Sequence, residues 1–251
     1  MKLDEIKEVI DTVNIFNVPY DVGVFKPEKL VPRFINPRWN RGVSKSLSAG
    51  DLVNIKSVVV YVLFTNVPVD YYVKLDLSLN LLTWFKYNSN HEFYYDDYGI
   101  LRKEAAVYAG LGKLGKNKLF FSNRFGFNCK IDLILTEEEF DEYHDFAGDY
   151  RLEYCKGCDD ICLKACPSRA LNERLYKNFE YKCLSILGKD GRVFTDYRFV
   201  KEICYKCNKS CPYSKELAKK IPEEIRDRRF RWELIEGPEY KAMWPYSFKN
   251  I

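Results

Sequence analysis

The chain has 251 residues, 47% of them hydrophobic and 30% charged, with a formal net charge of +4. That is enough apolar material for the core of one large domain or two small ones, and it excludes a disordered chain. The most apolar run, Ser57 to Phe64, is far shorter than the ~20 residues of a membrane span, and Met1-Lys2-Leu3-Asp4-Glu5 opens on charges rather than on an apolar leader. A soluble, cytoplasmic protein with no membrane partner is expected.

Leu3, Ile6, Ile10 and Val13 recur at helical spacing and predict a helix over 3–13. Residues 20–50 carry Pro27, Pro32, Pro37, Gly42 and Gly50 and read as loop-rich. Ser57–Phe64 is β-branched and continuous, as a central strand would be. Leu75, Leu77, Leu79, Leu81, Leu82 and Trp84 predict a helix over 70–87, and Ile100–Leu111 reads as a helix that ends in glycines. Two strand-like runs follow, Lys118–Phe121 and Cys129–Leu135. The order is mixed, with helices covering a sheet. From Asp141 the composition turns acidic and small and leads into a cysteine-rich stretch, and residues 215–251 form a mixed-charge, aromatic tail. Three parts are expected: an α/β half over 1–145, a cysteine domain over 146–214, and a tail over 215–251 packing on the core.

The nine cysteines carry the strongest chemical signal. The first run is Cys155-Lys-Gly-Cys158-Asp-Asp-Ile-Cys162-Leu-Lys-Ala-Cys166-Pro167, and the second is Cys204-Tyr-Lys-Cys207-Asn-Lys-Ser-Cys211-Pro212, with Cys183 between them. In a cytosolic chain such clustering means metal before disulfide. In two-cluster ferredoxins, closely spaced thiolates wrap one cluster while the cysteine before proline ligates the other. On that logic Cys155, Cys158, Cys162 and Cys211 hold one 4Fe–4S cluster, and Cys166, Cys183, Cys204 and Cys207 hold a second. Structural zinc is the rival reading, since it also uses Cys-x-x-Cys pairs, but it requires neither the two Cys-Pro endings nor the crossed arrangement. The first run departs from the usual bacterial spacing by one extra residue between Cys158 and Cys162. Eight thiolates and two oxidised cores would bring the net charge to near neutral, so charge gives no argument for nucleic-acid binding. Cys129 stands apart and reads as a buried free thiol.

Gly110-Leu-Gly112-Lys-Leu-Gly115-Lys116-Asn117 matches G-x-G-x-x-G, but with a helix before it and a strand after it, the reverse of a dinucleotide-binding turn. The plain alternative is a glycine helix stop and tight turn. Upstream, His91-Glu92-Phe93-Tyr94-Tyr95-Asp96-Asp97-Tyr98 sets two carboxylates beside tyrosines, which suits either a proton donor or a solvated turn with a helix cap. His91 and His144 have no partner at ligand spacing. Arg226, Arg228, Arg229, Arg231 and Trp232 mix cations with an aromatic, as RNA contacts do, although Glu223, Glu224, Asp227 and Glu233 interleave with them.

Taken together, Asp96, Ala105-Ala106, Ala109-Gly110-Leu111-Gly112, Gly115-Lys116-Asn117, Arg124-Phe125-Gly126, Leu133-Ile134-Leu135-Thr136, Cys166-Pro167, Cys183 and Cys207-x-x-x-Cys211-Pro212-Tyr213 resemble the epoxyqueuosine reductases. These are corrinoid and iron–sulfur reductases of tRNA queuosine synthesis, related to reductive dehalogenases. The resembling stretch runs from about Asp96 to Tyr213. The resemblance implies an α+β fold, with a nitroreductase-like α/β half and a C-terminal two-cluster ferredoxin-like domain. It implies cobalamin held base-off between the halves, Asp96 as proton donor, and Gly110, Gly112, Gly115, Lys116 and Asn117 against the corrin ring. It also implies an external low-potential electron donor and a tRNA or small-molecule substrate. The chain departs from the family pattern at Asp70-Tyr71-Tyr72, where the family has Asp-Tyr-His, and at Arg169, where it has glycine. The other function carried forward is a corrinoid-free, two-cluster electron-transfer protein serving a redox partner.

Overall fold

The structure, a computed structural model, describes residues 1–14, 17–30, 54–64, 71–90, 93–95, 102–173, 182–183, 204 and 206–223. Its centre is a four-stranded sheet in the order β1 (Tyr20–Phe25), β2 (Ser57–Phe64), β6 (Cys129–Thr136) and β3 (Phe93–Tyr95). Every pairing in this sheet is antiparallel. Such a ladder has no need of the crossover helix that places a dinucleotide between parallel strands.

β2 is buried along its whole length. Its alternating side chains divide between two cores, as strand geometry requires. Val58, Val60, Val62 and Phe64 face one core, while Val59, Tyr61 and Leu63 face the other. The second core is covered by α1 (Leu3–Val13) and α2 (Tyr71–Asn88). Ile6, Val9 and Ile10 come from α1, and Leu77, Leu81 and Phe85 from α2, at spacings that place each trio on one helical face. Asp4 and Glu5 favour the start of α1 by facing its positive end. After α1, Asn14 accepts from the Val18 amide (3.0 Å) and donates to the Val18 carbonyl (2.8 Å), bracing the entry to β1.

The first core is covered by α3 (Arg102–Tyr108) and by the hairpin of β4 (Gly112–Leu114) and β5 (Phe120–Ser122). α3 presents Ala105, Ala106 and Val107, all buried. Its small side chains let the helix lie close to β1: a Cβ on Gly23 would stand 2.2 Å from the Ala109 carbonyl oxygen. The start of α3 is tied to the sheet by an ion pair, Arg102 Nε to Asp132 Oδ1 at 3.0 Å, with the Asp132 side chain fully buried.

The expected helices and the strand Ser57–Phe64 are present. Three strands are additions. Tyr20–Phe25 lies in the stretch that reads as loop, because prolines and glycines further along mask a six-residue run. Phe93–Tyr95 lies in the acidic patch that reads as a turn, and Gly112–Leu114 lies inside the glycine motif. Each of these three is short or glycine-bearing, and its pairing partner supplies the stability that its own sequence lacks. A helix over Pro212–Lys219 runs across the expected division at 214/215. Among the described residues, no helix is long and apolar enough to cross a membrane.

Replacing Arg102 by leucine would leave the Asp132 carboxylate buried without this cation. A loss of about 3 kcal/mol in urea denaturation is expected. A loss below about 1 kcal/mol would mean that the pair does not anchor α3.

Candidate metal centres

The described part of the cysteine segment is a series of short turns. It comprises a 3-10 turn at Glu153–Cys155, α4 (Ile161–Lys164), a second 3-10 turn at Ala170–Asn172, α5 (Lys206–Ser210) and α6 (Pro212–Lys219). Elements this short cannot make a core of their own, and they lean on the hairpin. Phe121 and Phe127 pack with Leu152, Cys155, Cys211 and Leu217. Elsewhere Ala170 and Leu171 pack with Leu163, Cys166, Cys183 and Cys207. Cys211 is therefore grouped with Cys155, not with Cys207 four residues before it.

The electrostatic neighbours divide in the same way. The Cys162 thiol is pushed up to about 11 by burial and then by the nearness of Cys155, Cys158 and Cys211. The Cys207 thiol is pushed up to about 11 by burial and then by Cys183 and Cys204, with Cys166 also contributing. Burial alone would raise Cys166. Backbone donors at Leu171, Ala170 and Ser168, together with the Ser168 hydroxyl, outweigh it and hold this thiol below its ordinary value. Among the described residues, no three His, Cys, Asp or Glu side chains are placed to hold a metal ion. Two foursomes of thiols match the number and type of donors that two four-iron clusters take.

The extra residue between Cys158 and Cys162 is taken up by a left-handed turn at Asp160 (φ 56°), just before α4. Arg169 is also left-handed (φ 53°), a conformation that glycine adopts more readily.

The glycine loop turns toward the chain itself. Gly110, at φ 76°, ends α3: its amide bonds to the Val107 carbonyl and the Leu111 amide to the Ala106 carbonyl, each at 3.0 Å, the pattern of a Schellman helix stop. A Cβ on Gly112 would stand 2.1 Å from the Phe121 carbonyl oxygen, and one on Gly115 would meet Asn117 Oδ1 and Phe127 Cζ, both at 2.7 Å. The protein's own atoms fill the room that the glycines leave, so their identity needs no corrin ring to explain it. The rest of the loop reaches both cysteine groups. Lys116 Nζ donates to Asp160 Oδ1 at 2.6 Å. Lys103 Nζ donates to the Lys118 carbonyl at 2.8 Å, and Lys118 Nζ to the Glu173 carbonyl at 2.7 Å. The Glu173 carboxylate pairs with Lys182, next to Cys183. Lys103, Lys118 and Glu173 were not legible as site residues in the sequence, since lone charged residues carry no motif.

Asn117 is buried, and its Oδ1 accepts from the Leu119 amide at 3.1 Å. Its Nδ2 has no hydrogen-bond partner among the described residues. An unsatisfied buried donor costs about 1–3 kcal/mol, so a ligand that accepts from it would relieve that penalty.

Asp96 lies outside the described residues, as do Asp97, His91, Asp70 and the Arg226–Trp232 stretch. His144 is described: it is exposed, and its amide donates to the Val24 carbonyl at 2.9 Å. A cavity of about 540 Å³ is lined by Lys7, Asp11, Tyr20 and Arg124 among others, and its lining includes neither a cysteine nor a residue of the glycine loop. Cys129 packs against the first core, and burial pushes its thiol up to about 12.

No protein-family model matches the chain, and no curated protein does. Solved structures do. An epoxyqueuosine reductase superposes with a TM-score of 0.57 at 18% identity, over 84% of this chain and 66% of its own. The Streptococcus thermophilus epoxyqueuosine reductase gives 0.54 at 18% identity, over 85% and 67%. A catabolic reductive dehalogenase gives 0.53 at 13% identity, over 93% and 34%. The chain has their fold. It spans about two thirds of the length of the epoxyqueuosine reductases and about one third of the dehalogenase.

Two outcomes test this site. Gly112→Ala is expected to lower stability by about 1–3 kcal/mol in urea denaturation whether or not cobalamin is added, because the clash is internal. Cys129 is expected to escape iodoacetamide at pH 8 in the folded protein and to react once the protein is unfolded, because only the thiolate is nucleophilic.

Proposed function

We propose that this chain is an iron–sulfur reductase working with a corrinoid, in the manner of the epoxyqueuosine reductases whose fold it has. The observation that carries the reading is the crossed grouping of the eight thiols, supported by packing as well as by electrostatic neighbourhood. Cys155, Cys158, Cys162 and Cys211 would hold one 4Fe–4S cluster, and Cys166, Cys183, Cys204 and Cys207 the other. Crossing at Cys166 and Cys211 ties each cluster to both cysteine runs and keeps the pair close, as one-electron transfer in series requires.

The glycine loop would set the distance between the α/β half and the clusters through Lys116 and Lys118. The unsatisfied Asn117 donor supports a polar acceptor nearby, either a cluster sulfur or an edge of the corrinoid. Asp96, one residue past β3, would hold the proton that the substrate takes up. When bound, cobalamin supplies a strongly reducing, nucleophilic cobalt centre, which the residues of this chain cannot provide. One solved neighbour is an epoxyqueuosine reductase with a tRNA stem loop, and for this chain a tRNA base and a small molecule are both retained as substrate classes. The division into an α/β half, a two-cluster domain and a tail belongs to the same proposal.

The second reading is a corrinoid-free electron carrier. One observation favours it: the glycines are explained by internal packing.

Protein reconstituted with iron and sulfide without oxygen is expected to hold roughly eight irons, and Cys183→Ser roughly four. The reconstituted protein should then shift added cobalamin to its base-off absorbance, and Asp96→Ala should keep the shift but lose turnover. Full iron in Cys183→Ser would remove that residue from the ligand set. Intact clusters with no cobalamin shift would make the chain an electron carrier.

A further inference from the structure

Among the described residues, five large hydrophobic side chains are exposed: Tyr87, Tyr150, Tyr154, Ile161 and Tyr213. Three of them flank one group of thiols. Tyr154 precedes Cys155, Ile161 precedes Cys162, and Tyr213 lies two residues beyond Cys211. None of the five adjoins Cys166, Cys183, Cys204 or Cys207. Tyr154 is 54% exposed, and Ile161 and Tyr213 are each 37% exposed, so apolar surface stays in water where the adjoining thiols are only half-buried. Isolated exposed apolar residues need no explanation, but a group gathered on one feature does.

The group is also ordered. The rings of Tyr154 and Tyr213 stack with centroids 4.6 Å apart and planes 11° apart, joining the two cysteine runs at the surface. Beneath them Phe121 meets Tyr154 edge-on at 6.4 Å and packs with Cys155 and Cys211. On the first cysteine run the border carries both signs, with Glu153 before Tyr154 paired to Lys113, and Asp159 and Asp160 before Ile161, Asp160 paired to Lys116; on the second run it is cationic. Lys156 is exposed beside Cys155, and Lys206, Lys209, Lys215, Lys219 and Lys220 are all exposed on α5, α6 and the turn that follows, against a single acid in that stretch, Glu216. Lys219 pairs with Glu216, which leaves the other lysines in excess. Beside the second thiol group Ala170 and Leu171 are buried, and the desolvated Lys103 ammonium lies close enough to feel Cys183 and Cys207.

We infer that the face formed by Tyr154, Ile161 and Tyr213 is the docking surface for a small acidic electron-carrier protein. This inference rests on the proposal that the thiols hold clusters. A small apolar centre with a charged border suits the weak, short-lived encounters of redox partners, which fall at the low end of interface size. The lysine excess steers an acidic partner toward the right face and repels a basic one. One electron would pass from the reduced carrier to a cluster held by Cys155, Cys158, Cys162 and Cys211, and from there to one held by Cys166, Cys183, Cys204 and Cys207. No covalent bond forms or breaks. The carrier is oxidised by one electron and the cluster pair is reduced by one.

The test uses the reconstituted protein and an acidic flavodoxin reduced to its hydroquinone, with bleaching of cluster absorbance followed by stopped flow. The triple variant Lys209→Glu, Lys215→Glu, Lys220→Glu is expected to be reduced at least about 10-fold more slowly at low salt, and the difference should vanish at high salt. Its iron content and its reduction by photoreduced deazaflavin should match the parent protein. Should the triple variant lose iron, Ile161→Ser carries the same comparison, with slower reduction by the flavodoxin alone. Equal flavodoxin rates in parent and variants, with iron intact, would overturn the docking surface and leave the cluster reading standing. A parent protein that takes up no iron would overturn both.

Discussion

Two adjacent phenylalanines on β5 join the sheet core to the cysteine segment. Phe120 is buried in the core under the sheet, and Phe121 is buried with Cys155 and Cys211. Successive side chains of a strand point to opposite faces, so one three-residue strand seats the cysteine segment on the sheet. Phe125 and Phe127 repeat the arrangement two residues apart, with Gly126 at φ 61° between them and its space bounded by Ser214 of α6. The Ser214 hydroxyl accepts from the Phe127 amide at 3.0 Å, which ties α6 to the same hairpin. The cysteine turns are too short to fold on their own hydrophobic surface, and their arrangement therefore depends on this hairpin staying in register.

Charge follows the same geometry. The carboxylate of Asp132, buried on β6, holds Arg102 at the head of α3, and the next residue, Lys103, carries its ammonium to the glycine loop. Burial lowers the pKa of Lys103, while Glu104 and the thiols of Cys183 and Cys207 oppose that effect. A desolvated cation beside thiols favours their charged form, but burial and the neighbouring thiols still hold Cys207 above its ordinary value. From Lys103 the links continue through Lys118 and Glu173 to Lys182, next to Cys183. The most isolated of the proposed ligands in sequence is thus reached by a chain of hydrogen bonds that begins on the helix following Asp96.

The proposed ligands were legible in the sequence because ligand spacing is a local property: Cys-x-x-Cys places neighbouring thiols on one turn whatever surrounds them. The central strand was legible for the same reason, since Ser57–Phe64 is apolar at both parities and could only be buried on both faces. The glycine motif was legible in position but not in purpose. Its spacing suits a ligand-facing turn as well as a helix stop, and only the approach of the Phe121 carbonyl and the Phe127 ring shows what occupies the space. Strands Tyr20–Phe25, Phe93–Tyr95 and Gly112–Leu114 were hidden because the stability of a short strand resides in its partner.

By itself, then, the sequence determined the helical faces of α1 and α2, the buried strand and the two cysteine runs, all of them patterns that repeat within a few residues. The two Cys-Pro endings already pointed to the crossed grouping of the thiols; only the tertiary structure decided which side of the glycine loop is filled, that Asn117 keeps a donor unused among the described residues, and that Tyr154 and Tyr213 stack at one surface. These are relations between segments tens of residues apart. They are set by the closure of the hairpin against the sheet, and no local pattern of residues encodes them.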